Sequence, residues 1–259
     1  MIIEYYKKKL PDSRKNEIME SPTFRKLFNL ANDVRSFGFG SNLTKLGKIF
    51  GTDKAITHNY TPHYMTHLRK FKFKRIKLFE IGVGGYDNPI LGGKSLRMWK
   101  RYFPYGRVYS MDIHDKSKLQ ERRIKIYKGS QVDEELLNRI SNEAKGFDII
   151  IDDGSHLNEH VINTFQILFP KLNDGGIYVI EDTQTSYIEK YGGTSENMAN
   201  ARTSMNFFKS LADSLNHQEF QIPDYQPTYY DQKVVAIHFY HNLVFVYKGN
   251  NDEKSNLTD

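Results

Sequence analysis

Short runs rich in β-branched and aromatic residues recur between positions 76 and 183, each ending in glycine or an acid and each followed by an amphipathic stretch. Such alternation is the signature of a parallel sheet covered by helices on both faces. IKLFEIGVGG (76–85) reads as a strand and a glycine turn, SLRMWKRYF (95–103) as a helix, and RVYSMDIHD (107–115) as a second strand ending in acid. A third strand is expected over 123–128, then a helix over 132–144 and the strand FDIIIDDGSH (147–156). A helix over 157–170 leads to GGIYVIEDT (175–183), whose continuous apolar centre points to burial on both faces. After a helix near 203–216, two β-rich segments at 233–240 and 242–247 lie close enough to form an antiparallel hairpin. The expected fold is α/β, a seven-stranded, mostly parallel sheet with a terminal antiparallel hairpin.

At 259 residues, the chain suits one large domain with an extension. Residues 1–45 read as an N-terminal arm or lid carrying a helix over 23–32, residues 46–249 as the domain, and 250–259 as a flexible tail. The absence of cysteine excludes disulfide scaffolds, thiolate-ligated zinc, iron–sulfur clusters and thiol nucleophiles, so a metal must sit on oxygen or imidazole. No apolar run approaches the roughly 20 residues of a membrane span, and the polar N-terminus reads as neither signal peptide nor anchor. A cytoplasmic location is therefore expected. Lys and Arg number 37 against 31 Asp and Glu. They are spread along the chain, so no nucleic-acid partner is expected.

In open α/β sheets ligands bind beyond the carboxyl ends of the strands, near the point where strand order reverses. The residues ending each strand are therefore the candidates. In the turn Glu80-Ile81-Gly82-Val83-Gly84-Gly85, glycine lets backbone approach a ligand and Glu80 can meet a cation. The spacing differs from the G-x-G-x-x-G dinucleotide fingerprint, and the insert YDNPILGGK displaces the following helix, which argues against an NAD enzyme. Asp112, ending the second strand, is placed to accept hydrogen bonds from both hydroxyls of a ribose. Gln131 offers an amide donor and acceptor to an adenine edge, while neighbouring Ser130 is equally suited to capping a helix.

The strongest constellation is Asp152-Asp153-Gly154-Ser155-His156 together with Glu181-Asp182, at the ends of adjacent strands. Clustered carboxylates in a partly dehydrated cleft repel unless a cation offsets them. Oxygen ligands suit Mg²⁺, or Mn²⁺, better than Zn²⁺. One of Asp152 and Asp153 is suited to capping the next helix. His156 is placed as a general base toward a substrate hydroxyl, because imidazole titrates near the operating pH. Trp99 reads as core, and the polar stretch from Tyr187 to Asn200 as a mobile flap.

The segments GTDKAITHNYTPHY (51–64), LFEIGVGGYDNPILGGKSLRMWKRYFP (78–104), VYSMDIHDKS, FDIIIDDGSHLNEHV, YVIEDTQTSY and SLNHQEF (214–220) together carry a family resemblance. The chain resembles the metal-dependent O-methyltransferases of macrolide sugar tailoring, of the mycinamicin VI 2''-O-methyltransferase and demethylmacrocin O-methyltransferase type, over nearly all of 51–220. The resemblance implies a Rossmann-like class I methyltransferase fold with S-adenosyl-L-methionine as methyl donor. It implies Mg²⁺ held by Asp153, Glu181 and Asp182, with His156 as general base. It further implies cofactor contacts from Glu80, Gly82, Gly84, Ser95, Asp112 and Gln131, with Tyr64 and the GTDK segment as a lid over the cofactor. The implied acceptor is a sugar or glycosylated small molecule with vicinal hydroxyls, and the implied assembly a homo-oligomer. Rival readings are a nucleic-acid or protein methyltransferase and a non-catalytic interaction protein that binds S-adenosylmethionine. Metal dependence and measured transfer separate them.

Overall fold

The structure, a computed structural model, describes residues 21–255. Seven strands form one sheet: β1 (Lys77–Ile81), β2 (Arg107–Asp112), β3 (Ile124–Lys128), β4 (Phe147–Asp152), β5 (Leu172–Glu181), β6 (Val234–Tyr240) and β7 (Leu243–Lys248). They lie in the order β3-β2-β1-β4-β5-β7-β6. The strands β1 to β5 pair in parallel, and β7 runs antiparallel to both of its neighbours. The expected sheet and its closing hairpin are both present.

Strand pleat divides the core in two, because successive side chains point to opposite faces. Leu78, Ile149, Ile151, Ile177 and Val179 join one apolar cluster, while Phe79, Ile81, Ile150, Tyr178 and Ile180 join the other. The first cluster is covered by α2 (Leu43–Phe50), α4 (Thr61–Leu68) and α5 (Lys94–Tyr102), the second by α6 (Glu134–Ala144), α7 (Asn158–Leu168) and α8 (Ser204–Ser214). Before them α1 (Pro22–Arg35) leads the described chain, α3 (Asp53–Ile56) sits between α2 and α4, and α9 (Tyr229–Lys233) runs into β6. Among the described residues no helix is long and apolar enough to cross a membrane.

Three differences from the sequence reading concern the ends. The helix in the arm is longer than expected, spanning Pro22–Arg35; residues 1–20 of the arm lie outside the described residues. Leu43, Leu46 and Phe50 of α2, on both sides of residue 46, are buried in the core. Residues 250–255 are not loose throughout: the Asn251 amide group donates to Ser214 O at 3.0 Å and Asp231 O at 2.8 Å.

Candidate active site

The alternation that sorts the apolar core also sorts the acids at the strand ends. Glu80 shares a face with Leu78, Asp153 continues the side of Ile149 and Ile151, and Glu181 continues that of Ile177 and Val179. As β1, β4 and β5 are neighbours, spaced about 4.8 Å apart, three carboxylates converge on the face covered by α2 to α5.

A buried ammonium stands between them. Lys54, on α3 and 1% exposed, places Nζ 2.6 Å from Asp153 Oδ2, 2.7 Å from Glu181 Oε2 and 3.2 Å from Glu80 Oε1. Burial alone lowers a lysine pKa, but the three carboxylates outweigh it and hold Lys54 well above the ordinary value. Burial pushes Glu80 up to about 7, with Lys54 opposing the shift, and it likewise raises Glu181 against the pull of Lys54. Trp99 Nε1 donates to Glu80 Oε2 at 2.9 Å, and Ser95 adds a hydrogen bond favouring the ionised form of Glu80. The Tyr64 hydroxyl donates to Glu181 Oε1. Glu80 thus meets a cation that belongs to the chain itself.

On the outer side of Asp153 lies a second, more open group. His156 Nε2 is 3.9 Å from Asp153 Oδ1 and 3.7 Å from Asp182 Oδ2, and one ligand atom from each of the three residues lies within 4.8 Å of the others. His156 (φ 58°) and Asp182 (φ 55°) both adopt left-handed backbone, a conformation that costs a non-glycine residue about 1–2 kcal/mol. The surrounding fold holds both against that cost. Tyr60 donates its hydroxyl to Asp182 Oδ1 at 2.8 Å, and His58 Nδ1 stands 3.7 Å from the same oxygen. A donor set of carboxylate oxygens and one imidazole fits a hard divalent ion.

Asp152 takes no part in this group. It points to the opposite face, where Gln131 Nε2 donates to Oδ1 at 3.3 Å and burial pushes its carboxyl up to about 7. Neither Asp152 nor Asp153 caps α7, whose N-cap is Leu157 without a side-chain bond.

Beyond the ends of β1 to β4, at the switch point between β1 and β4, lies a cavity of about 230 Å³ lined by Gly82, Asp112, Gln131, Gly154, Ser155 and His160 among others. Val83 N donates to Asp112 Oδ2 at 3.0 Å and His114 N to Oδ1 at 2.9 Å, which fixes the carboxylate at the cavity edge. The amide of Gln131 is spent within the protein: Nε2 donates to Asp152 and to Thr164 Oγ1, and Oε1 accepts from Ser155 N at 2.7 Å. Gln131 therefore holds the Gly154-Ser155 turn as well as lining the cavity. Ser130 caps nothing; Asp133 does so, accepting from Leu136 N at 3.0 Å.

Two expectations about covering segments change. Tyr64, expected as part of a lid over the cofactor, has no exposed surface, its ring meeting Trp99 and Phe245 edge-on. The beginning of the expected flap is fastened, since the Asn158 amide donates to Thr185 O at 3.2 Å and Tyr191 O at 2.9 Å. Lys54, His58 and Tyr60 escaped the residue-by-residue reading. The signal for Lys54 was charge: strand pleat puts Glu80, Asp153 and Glu181 on one buried face, which demands a cation there.

A seven-stranded sheet in this order, with a cavity at its switch point and an acid cluster beside it, has the class I methyltransferase fold. Comparison with known proteins makes the assignment narrower. The chain is 46% identical over 214 residues to the mycinamicin VI 2''-O-methyltransferase of Micromonospora griseorubida, covering 82% of this chain and 54% of that protein. It is 47% identical over 197 residues to the demethylmacrocin O-methyltransferase of Streptomyces fradiae, covering 76% and 50% respectively. A solved structure of the MycE methyltransferase from the mycinamycin biosynthetic pathway, in complex with Mg and SAH, matches with a TM-score of 0.80 and 46% identity, over 82% of this chain and 55% of that one. No protein-family model matches. The chain is similar to these sugar O-methyltransferases, and it spans about half the length of the curated relatives it matches.

Proposed function

We propose that the chain transfers a methyl group from S-adenosylmethionine to a hydroxyl of a sugar or glycosylated small molecule, with the help of Mg²⁺, which Mn²⁺ can replace. The observation that carries this reading is the juxtaposition of Asp153, His156 and Asp182 beside a strand-end cavity. The relatives named above support it, and a MycE structure has been solved with Mg, SAH and mycinamycin VI together.

In this reading the cavity takes the adenosine, with the ribose hydroxyls on Asp112 and the Gly82 to Gly84 backbone against the rest of the donor. Gln131 shapes that pocket through its bond to Ser155, and Glu80 and Ser95 would contact the donor from outside the residues that line the cavity. Asp153 and Asp182 would hold the ion, Glu181 contributing through the lone pairs that Lys54 and Tyr64 leave. When bound, the ion supplies a Lewis acid that lowers the pKa of the acceptor hydroxyl. His156 takes the hydroxyl proton, the oxygen attacks the methyl carbon, and the carbon–sulfur bond breaks with its electron pair leaving on the sulfur of S-adenosylhomocysteine. Two neighbouring hydroxyls would hold the acceptor in one orientation, a proximity effect worth several kcal/mol.

Incubation of the protein with Mg²⁺, methyl-deuterated S-adenosylmethionine and a panel of rhamnosides and macrolide glycosides, followed by mass spectrometry, tests the proposal. A product carrying one labelled methyl is expected. A folded protein that binds no S-adenosylhomocysteine would overturn it.

A further inference from the structure

The position of Lys54 is explained by no part of the chemistry above. Its ammonium bonds one oxygen of Asp153, Oδ2, while the other oxygen, Oδ1, faces His156. The same ammonium bonds Glu181, whose chain neighbour Asp182 forms the other side of the open group. One buried cation therefore reaches behind both strand ends that carry the candidate metal ligands. It also reaches Glu80 at the end of β1, so the ends of β1, β4 and β5 are tied through a single nitrogen.

We propose that Lys54 is a positioning residue for the divalent ion. It neutralises the inner carboxylates and fixes the rotation of Asp153, so that Oδ1 is presented outward beside Asp182 and His156. Lys54 would thus hold Asp153 by Oδ2 and Glu181 by Oε2 while Asp153 Oδ1 remains turned toward His156 for a bound ion. Partners that hydrogen-bond a ligating carboxylate commonly set metal affinity by about 10- to 100-fold. The delivery of Lys54 explains why α3 buries Lys54 and Ala55 while Asp53 and Ile56 stay exposed. The inference rests on the metal-dependent reading of the site.

Two measurements test it, neither of them turnover. The first is Mn²⁺ binding followed by electron paramagnetic resonance, for the wild type and for Lys54→Met, which keeps the bulk of the side chain and removes its charge. With folding checked by circular dichroism and S-adenosylhomocysteine binding, Lys54→Met should bind Mn²⁺ at least 10-fold more weakly. Equal or tighter binding by the folded variant overturns the inference. The second uses the wild type alone and so survives a variant that fails to fold. A crystal structure soaked with Mn²⁺ should show the ion on the Oδ1 side of Asp153 with Nζ still bonded to Oδ2. An ion seated where Nζ now lies, with Lys54 expelled, overturns the inference. A wild type that binds no Mn²⁺ overturns the metal reading itself and the role of Lys54 with it, whereas wild-type binding with an indifferent variant overturns only the latter.

Discussion

Gly82 packs so tightly on the main chain of Asp153 that a β-carbon added to it would fall 2.1 Å from the Asp153 carbonyl oxygen. Its φ of 94° is also one that L side chains rarely adopt. The glycine turn after β1 thus sets the height of the acid at the end of β4. Gly82→Ala should cost about 1–3 kcal/mol, seen as a fall of roughly 2–12 °C in the thermal midpoint, at about 2–4 °C per kcal/mol for a chain of this size. An unchanged midpoint in a scan of both proteins would show that the contact is slack.

His156 is predicted to move a proton, which separates it from a side chain that only packs. Because Asn tolerates left-handed backbone, His156→Asn preserves the local chain path while removing the imidazole. The expected result is a fall in kcat of about 10²- to 10⁴-fold, with S-adenosylhomocysteine affinity unchanged by calorimetry. A kcat near that of the wild type would reassign the base.

Asp152 gives the fold a pH dependence whose sign is set by burial. Its carboxyl titrates at about 7 in the folded chain against a usual 3.8. The unfolded chain therefore loses this proton first, and the contribution to stability falls as pH rises from about 4 to about 7. Asp152→Asn should remove that slope, adding roughly 1–3 kcal/mol at pH 8 and almost nothing at pH 4. Urea unfolding at the two pH values measures the difference, and a gain of equal size at both would refute the assignment.

Asp112 is assigned to the nucleoside end of the site, away from the metal. Asp112→Ala should weaken S-adenosylhomocysteine by about 10- to 100-fold, the usual cost of losing hydrogen bonds to a charged group, and leave Mn²⁺ binding unchanged. Loss of both ligands together would mean that the two halves of the site are not separable.

The strands and the strand-end acids were legible because each strand is a short apolar run with a clear terminus. The acids follow the runs directly, as Asp112 follows Met111 and Glu181 follows Ile180. What the sequence hid lies in residues 43–71. There α2, α3 and α4 are cut apart by left-handed turns at Gly51 and Asn59, and each is too short for a helical period to stand out. Those helices bring Lys54, Tyr60 and Tyr64 to acids more than a hundred residues away in most pairs, such as Lys54 with Glu181. Contacts of that separation leave no local pattern. The side on which Asp152 and Asp153 fall was readable from the pleat, since Ile150 and Asp152 alternate with Ile151 and Asp153, but only once the strand register was known.

The central claim is that acids from neighbouring strand ends hold a divalent ion beside an imidazole for methyl transfer. The most direct measurement is the S-adenosylmethionine-dependent mass gain of a sugar acceptor after treatment with EDTA and again after addition of excess Mg²⁺, in the wild type and in Asp182→Asn. The account predicts loss of transfer on chelation, recovery with Mg²⁺ in the wild type, and little recovery in the variant. Transfer that continues undiminished in EDTA would contradict it.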